Sequence, residues 1–126
     1  MSSTVFVNFS NHPSNLWSGK QKSAALSFAD EIADIPFPGV DPQAGPDEIA
    51  KLGDQYIEQI TSLPAAAVMC QGEFSLSFYV VSQLKKRGIL CLSACSRRNV
   101  QEKNMEDGKV RKEAEFEFVR FREYLG

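Results

Sequence analysis

The chain has 126 residues, of which 43% are hydrophobic and 24% charged, and its formal net charge is −2. This length and composition predict one globular domain spanning residues 1–126. The slight negative charge argues against a protein that coats duplex nucleic acid through bulk positive charge, although a locally positive pocket can still bind a small anion.

No apolar run reaches the length of a membrane span, and no basic segment of a secretory signal precedes the first predicted strand. The three cysteines are Cys70, Cys91 and Cys95, and two of them fall inside apolar strands. Reduced thiols in a cytoplasmic protein are therefore expected rather than disulfides. With no CxxC pair and a single histidine, the sequence predicts no metal site, and no cofactor motif is present.

The first half of the chain predicts two strands that alternate with two helices. β-Branched and aromatic residues favour a strand over about Thr4–Phe9. Ser18 and Gln21 have the spacing of a capping box at the start of the first helix. A short strand is expected over Glu31–Phe37, and Pro46 suits the first turn of the second helix.

The second half continues the alternation and then changes to a hairpin. Strands are expected over Ala65–Cys70 and Ile89–Cys95, with a helix over about Phe74–Arg87 between them. The helix is expected to bury four side chains: Phe74, Phe78, Val81 and Leu84. After an Asp-Gly turn at 105–108, the segment Glu115–Tyr124 alternates charged residues with phenylalanines, which predicts one packed face.

This order of elements predicts an α/β fold, specifically a three-layer Rossmann-like sandwich. The expected sheet is mainly parallel in the order 2-1-3-4, and a C-terminal antiparallel β-hairpin extends it beyond strand four. The chain direction reverses between strands one and three, and open α/β sheets bind ligands at such a topological switch point. We therefore expect a ligand there.

Polar clusters follow strands one, three and four, and they supply the predicted ligand contacts. These residues are Asn8, Ser10, Asn11, Ser14, Gln71, Gly72, Glu73, Phe74, Ser75, Ser96 and Arg98. Gly72 would let the backbone approach a ligand, and the first amides of the following helix can hold a phosphate. The alternative for Gly72 is an ordinary tight connection. The Glu73 carboxylate would repel a phosphate unless it points away or contacts a base or a hydroxyl.

His12 and the two arginines are the strongest candidates for chemistry. A histidine can move a proton near neutral pH or bind phosphate as a cation, whereas the alternative is a residue that only completes a turn. Guanidinium groups match the geometry of phosphate oxygens. The alternative is that Arg97 and Arg98 are solvated residues at the end of a strand. We do not expect both arginines to face the same crevice. Cys91 and Arg97 have the C-x5-R spacing of phosphatases, but Cys91 lies within a predicted strand and no helix follows, so we disfavour that interpretation.

Four segments carry a resemblance to a known group: NFSNHPS at 8–14, CQGEF at 70–74, ACSR at 94–97 and FEFVRFR at 116–122. They resemble the small Rossmann-like (CARF-like) accessory proteins of type III CRISPR loci. Proteins of that group bind cyclic oligoadenylates, and some of them cleave the ring as ring nucleases.

The resemblance implies a homodimer that binds a cyclic oligoadenylate, with cyclic tetra-adenylate favoured, in antiviral defence. It implies metal-free cleavage in which a ribose 2′-hydroxyl attacks the adjoining phosphate, with His12 as general acid/base and Arg97 stabilising the developing charge. Two alternatives stay open: a non-enzymatic sensor or sink for the same ligand, and an unrelated nucleotide-processing α/β enzyme.

Overall fold

A computed structural model describes residues 3–126, apart from the side chains at positions 101, 103 and 113. The strands and helices follow one another in the predicted order. They are β1 (Val5–Ser10), α1 (Gly19–Leu26), β2 (Glu31–Pro36), α2 (Pro46–Thr61), β3 (Ala65–Gln71), α3 (Phe74–Lys86), β4 (Leu90–Asn104) and β5 (Val110–Glu123). A short 3₁₀ turn, Ser14–Leu16, precedes α1.

The five strands form one sheet in the order β2-β1-β3-β4-β5. Strands β1 to β4 run parallel, and β5 pairs antiparallel with β4. The predicted α/β fold and its strand order are confirmed. Within residues 3–126, no helix is both long enough and apolar enough to cross a membrane.

Two hydrophobic clusters, one on each face of the sheet, make the three layers. Every residue of β1 is buried, and side chains alternate between the faces of a strand. Val7 and Phe9 pack with the buried residues of α2 and α3. Phe6 packs on the opposite face with Trp17 and with Ala25 of α1. The centre of the sheet is thus covered on both sides, as its continuously apolar strands predict.

Local signals place the ends of the helices. Ser18 Oγ accepts a hydrogen bond from the Gln21 backbone N–H at 3.2 Å and caps α1, as predicted. The Gln21 side chain does not return to Ser18; its amide donates to the Met69 sulfur at 3.9 Å. Pro46 opens α2, and Gly88 ends α3 with a φ of +76°, a conformation that favours glycine.

The buried face of α3 differs from the prediction. Phe74 and Phe78 are 90% and 77% exposed, whereas Leu76 and Val80 are fully buried. The predicted burial of Val81 and Leu84 is confirmed. The helix carries apolar residues on more than one face, so its periodicity alone did not show which face packs on the sheet.

The fourth strand is much longer than predicted. β4 does not end at Cys95 but continues to Asn104, because β5 pairs with it from Leu92 to Asn104. β3 pairs only with Leu90–Leu92 on the other side of β4. We call residues 96–118 the hairpin arm, which extends past the carboxyl edge of β3. Ser96, Arg97 and Arg98 therefore lie within a strand of this arm.

The hairpin turn and part of its packed face agree with the prediction. The Gly108 N–H donates to the Met105 carbonyl at 3.0 Å, and Gly108 has a φ of +80°. Phe118 and Phe121 are buried against the sheet, with ring centroids 4.9 Å apart. Phe116, in contrast, is 73% exposed.

Candidate functional site

A cavity of about 840 Å³ opens at the carboxyl edge of the sheet, between the loop that follows β1, the start of α1 and the hairpin arm. Its volume falls within the range typical of small-molecule sites. It is lined by His12, Leu16, Trp17, Ser18, Lys20, Gln21, Met69, Gln71, Ala94, Ser96, Asn99, Glu115, Phe116, Glu117 and Phe118. The cavity adjoins the ends of β1 and β3, where the chain direction reverses, as expected for the ligand site of such a sheet.

His12 contributes an exposed imidazole to the cavity wall, while its backbone is held firmly. The carbonyl of His12 accepts from Asn8 Nδ2 at 2.8 Å and from Trp17 Nε1 at 3.1 Å. The N–H of His12 donates to Ser10 Oγ at 3.2 Å. Among the described residues, the imidazole itself makes no hydrogen bond. The fold thus fixes the position of His12 and leaves its side chain available to a ligand.

Three predicted ligand contacts from this segment support the turn instead of lining the cavity. Asn8 and Ser10 are 1% and 5% exposed, and Ser10 Oγ donates to Asn8 Oδ1 at 2.6 Å. The N–H and hydroxyl of Ser14 both donate to the Asp34 carboxylate. Asn11 is exposed but lies outside the cavity wall. The polar residues at the end of β1 and in the following turn are therefore mostly structural, and His12 alone among them lines the cavity.

Gln71 is the one predicted contact from the β3–α3 connection that lines the cavity. Its side-chain oxygen accepts from the Ala94 N–H at 2.5 Å, where β4 leaves its pairing with β3. This bond orients the amide. Its nitrogen makes no hydrogen bond within the described part of the chain, so the amide can donate to a ligand.

The other residues of that connection have roles away from the cavity. A Cβ at Gly72 would lie 2.5 Å from the ring of Phe37, so close packing explains this glycine. Glu73 accepts from the N–H groups of Leu76 and Ser75 at 2.8 and 2.9 Å, and these bonds hold the pKa of its carboxyl below the ordinary value. The amides at the start of α3 are thus occupied by this carboxylate. Phe74 and Ser75 lie outside the wall.

The two arginines point to opposite faces of the arm. Arg97 lies across from Glu117 and Arg98 across from Phe116, and successive residues of a strand alternate between its faces. Ser96, across from Phe118, lines the cavity, whereas neither arginine belongs to its wall. Arg98 shares its face with Ser96 and Phe116, whereas Arg97 shares its face with Glu117. Residues of both faces line the cavity, so the register favours neither arginine. His12 and Ser96 therefore line one cavity, and neither Gly72 nor Arg97 belongs to its wall.

Cys70 and Cys91 offer no nucleophile to this site, and Cys95 lies outside its wall. Burial raises the pKa of Cys70 to about 12 and that of Cys91 to about 11, so both stay protonated and unreactive near neutral pH. The phosphatase interpretation of Cys91 and Arg97 gains no support from this geometry. No three His, Cys, Asp or Glu side chains of the described residues come together in a way that would hold a metal ion.

The prediction from sequence missed several residues of the wall, above all Lys20, Leu16 and Phe116. Leu16 and Phe116 are 77% and 73% exposed although both are apolar, and they flank the open cavity. Lys20 and His12 place basic groups near α1, while Glu115 and Glu117 place carboxylates on the arm. Phe116 belongs to a segment in which charged residues alternate with phenylalanines. That pattern predicts that the phenylalanines are packed, so the exposure of Phe116 could not be inferred from it.

Comparison with known families gives one result. The family described as "Uncharacterized protein MJ1673 family" matches residues 4–122, from the segment before β1 to the last part of β5. No curated protein and no solved structure gives a significant match. Because the family match spans nearly the whole chain, the chain belongs to the MJ1673 family.

Proposed function

We propose that this member of the MJ1673 family binds a cyclic oligoadenylate, with cyclic tetra-adenylate favoured, in the cavity beside His12. It would act as a cytoplasmic homodimer in type III CRISPR defence. The cavity carries the proposal: it lies at the switch point of a Rossmann-like sheet, and its wall combines an available histidine, a lysine and an exposed aromatic ring. These are the groups that recognise phosphate and nucleobases.

The distribution of charge supports one orientation of the nucleotide. The Lys20 ammonium lies on α1, so the phosphates are drawn to its side of the cavity and away from Glu115 and Glu117. The ring of Phe116 is exposed on the arm and can stack on a base. The ligand would thus bridge the body of the protein and its hairpin arm.

The openness of the cavity supports a dimer. Leu16 and Phe116 remain largely exposed although both line the cavity, so one chain covers only part of a bound ring. A ring of identical nucleotides can offer the same contacts to two chains related by a two-fold axis. One ring per two chains is the expected stoichiometry.

Cleavage would follow from proton transfer by His12. The imidazole takes the proton of a ribose 2′-hydroxyl, whose oxygen bonds to the adjoining phosphorus. The bond from phosphorus to the 5′-oxygen breaks, and His12 returns the proton to that oxygen. The products carry a 2′,3′-cyclic phosphate and a 5′-hydroxyl. Arg97, which the sequence favours for charge stabilisation, lies outside the wall but directly across from Glu117, which lines it, and we keep this role for Arg97.

A non-enzymatic sensor or sink is the second candidate, and the composition of the wall favours it. Neither arginine belongs to the wall, Glu73 already caps the α3 amides, and two carboxylates lie on the arm. Fewer groups are therefore placed to stabilise a pentavalent phosphate than to bind the ring. The same cavity serves both candidates.

Calorimetry with cyclic tri-, tetra- and hexa-adenylate tests binding, and chromatography of labelled rings after metal-free incubation tests cleavage. We expect saturable binding of cyclic tetra-adenylate. Lys20→Ala should weaken it about tenfold, because one charge-assisted phosphate contact is lost. Lys22→Ala is the matched control, since Lys22 lies on the same helix outside the wall.

The outcomes separate the candidates. His12→Ala should slow cleavage by about a hundredfold or more while binding changes little, as for loss of a general acid/base. Rings that are bound but recovered intact from the wild-type protein favour the sensor. A wild-type protein that binds none of the three rings contradicts the proposal.

A further inference from the structure

The carboxylate of Asp34, on β2, anchors the turn that carries His12. Asp34 Oδ1 accepts from Asn8 Nδ2 at 3.0 Å. Its Oδ2 accepts from the N–H and from the hydroxyl of Ser14, both at 3.1 Å. Asp34 thus binds the chain on both sides of His12, four residues before it and two residues after it. Sequence reasoning gave no role to Asp34.

The sheet register explains why Asp34 can do this. Asn8 and Asp34 are direct partners in the parallel pairing of β1 with β2, so their side chains lie side by side. Because Asp34 accepts from Asn8 Nδ2, the Asn8 amide has one orientation. Its nitrogen also donates to the His12 carbonyl, and its oxygen accepts from Ser10. Ser10 in turn accepts from the His12 N–H, which completes the network.

We infer that Asp34 is a positioning residue that holds His12 in place toward the cavity. This inference rests on the proposed function, in which the imidazole acts on the ligand. Both backbone polar groups of His12 are bound within the Asp34 network, whereas the imidazole is exposed in the wall. Supporting residues that fix a reactive side chain in this way lower the cost of reaching the productive geometry.

Asp34→Asn tests the inference, and Asp30→Asn is its matched control. Asp30 precedes the same strand and accepts from the N–H and hydroxyl of Thr4 at 2.9 and 3.3 Å, but it lies at the opposite end of β2. Each variant removes one carboxylate with a similar set of bonds. For Asp34→Asn we expect kcat for ring cleavage to fall about tenfold with KM within about twofold, because a displaced catalytic group costs rate. Asp30→Asn should cleave like the wild type.

A spectroscopic measurement separates positioning from a general loss of structure. His12 is the only histidine of the chain, so the imidazole Cε1–H gives one assignable NMR signal. In Asp34→Asn without ligand, this signal should broaden or move relative to the wild type, while Asp30→Asn leaves it unchanged. Urea denaturation of both variants controls for stability. Since both aspartates are exposed, both variants should fold.

The outcomes also distinguish this inference from the proposed function. If the wild-type protein binds and cleaves cyclic tetra-adenylate but Asp34→Asn keeps the wild-type rate and His12 signal, the inference alone is overturned. If the wild type binds the ring without cleaving it, an unchanged His12 signal in Asp34→Asn overturns the inference, and an altered one supports it. If the wild type does not bind the ring, the proposed function fails, and with it the role assigned to Asp34.

Discussion

The body of the protein and its hairpin arm differ in how they use their residues. In the body, every residue of β1 is buried, and even the polar Asn8 and Ser10 are hydrogen-bonded inside. In the arm, Val100, Phe116 and the first residue of β5, Val110, are more than half exposed. The body therefore uses buried polar groups to fix a turn, whereas the arm, like Leu16, Phe74 and Phe78 of the body, exposes apolar groups that the core does not use.

This difference indicates a division of labour at the cavity. The body holds His12 in one place, and the arm adds the exposed ring of Phe116 to the cavity wall. Residues that stabilise the protein and residues that contact the ligand should consequently be separable by mutation. An apolar side chain that is exposed beside a cavity is a candidate for binding.

The strongest test of this separation compares two phenylalanines. Phe6 is fully buried and its ring lies 5.0 Å from that of Phe121, so Phe6→Ala should lower the free energy of unfolding by about 3–5 kcal/mol. Phe116→Ala should change it by less than about 0.5 kcal/mol. Urea denaturation measures both. Similar losses for the two variants would show that the arm belongs to the core.

Gly72→Ala should produce the next largest effect. A Cβ there would meet the Phe37 ring at 2.5 Å, so we expect a loss of about 1–3 kcal/mol from overpacking. Gly19→Ala is the control, because nothing lies within 4 Å of a Cβ at that position. If Gly72→Ala folds stably yet loses the ligand, Gly72 contacts the ligand after all.

Glu73→Gln should alter how stability depends on pH. Hydrogen bonds from Leu76 and Ser75 hold the pKa of Glu73 below its ordinary value of 4.5 in the folded protein. Its stabilising contribution is therefore present above that ordinary value and is lost as pH falls through the lower folded pKa. Urea denaturation at a series of pH values gives the free energy of unfolding. Between pH 7 and pH 3 this free energy should fall less steeply for Glu73→Gln than for the wild type. Glu58→Gln, an exposed position on α2, should keep the wild-type slope.

The reactivity of the three thiols should differ between the body and the base of the arm while the protein stays folded. Cys70 and Cys91 are buried in the body and have a raised pKa, whereas Cys95 is partly exposed at the base of the arm. Under native conditions at pH 8, iodoacetamide should modify Cys95 first, as mass spectrometry can show. In urea all three should react. Rapid native modification of Cys70 would contradict the packing of the body.

The sequence predicted those parts of the fold that depend on local signals. The strand order follows from the alternation of strands and helices, and Ser18 and Gly108 occupy the cap and turn that their residue types predict. The length of β4 was missed because its continuation depends on pairing with β5, which is distant in sequence. The packing role of Gly72 was missed because the ring that lies against it belongs to Phe37, which is distant in sequence.

The candidate site was predicted in part. His12, Gln71 and Ser96 meet in one cavity, as their positions after neighbouring parallel strands suggested. The faces of Arg97 and Arg98 depend on the register of the hairpin, which shifts between Cys95 and Ser96, and no local pattern encodes that register. Lys20 and Phe116 join the wall only because α1 and the arm lie on either side of it.

The most direct measurement follows the single histidine NMR signal while cyclic tetra-adenylate is added to the wild-type protein and to Phe116→Ala. If the body and the arm share one ligand site, the His12 signal of the wild type shifts and saturates at one ring per two chains. The same shift then needs at least about tenfold more ligand in Phe116→Ala, because a stacking contact is lost. A wild-type signal that does not move would contradict a site shared by His12 and the arm. So would a signal that saturates at the same ligand concentration in the wild type and in Phe116→Ala.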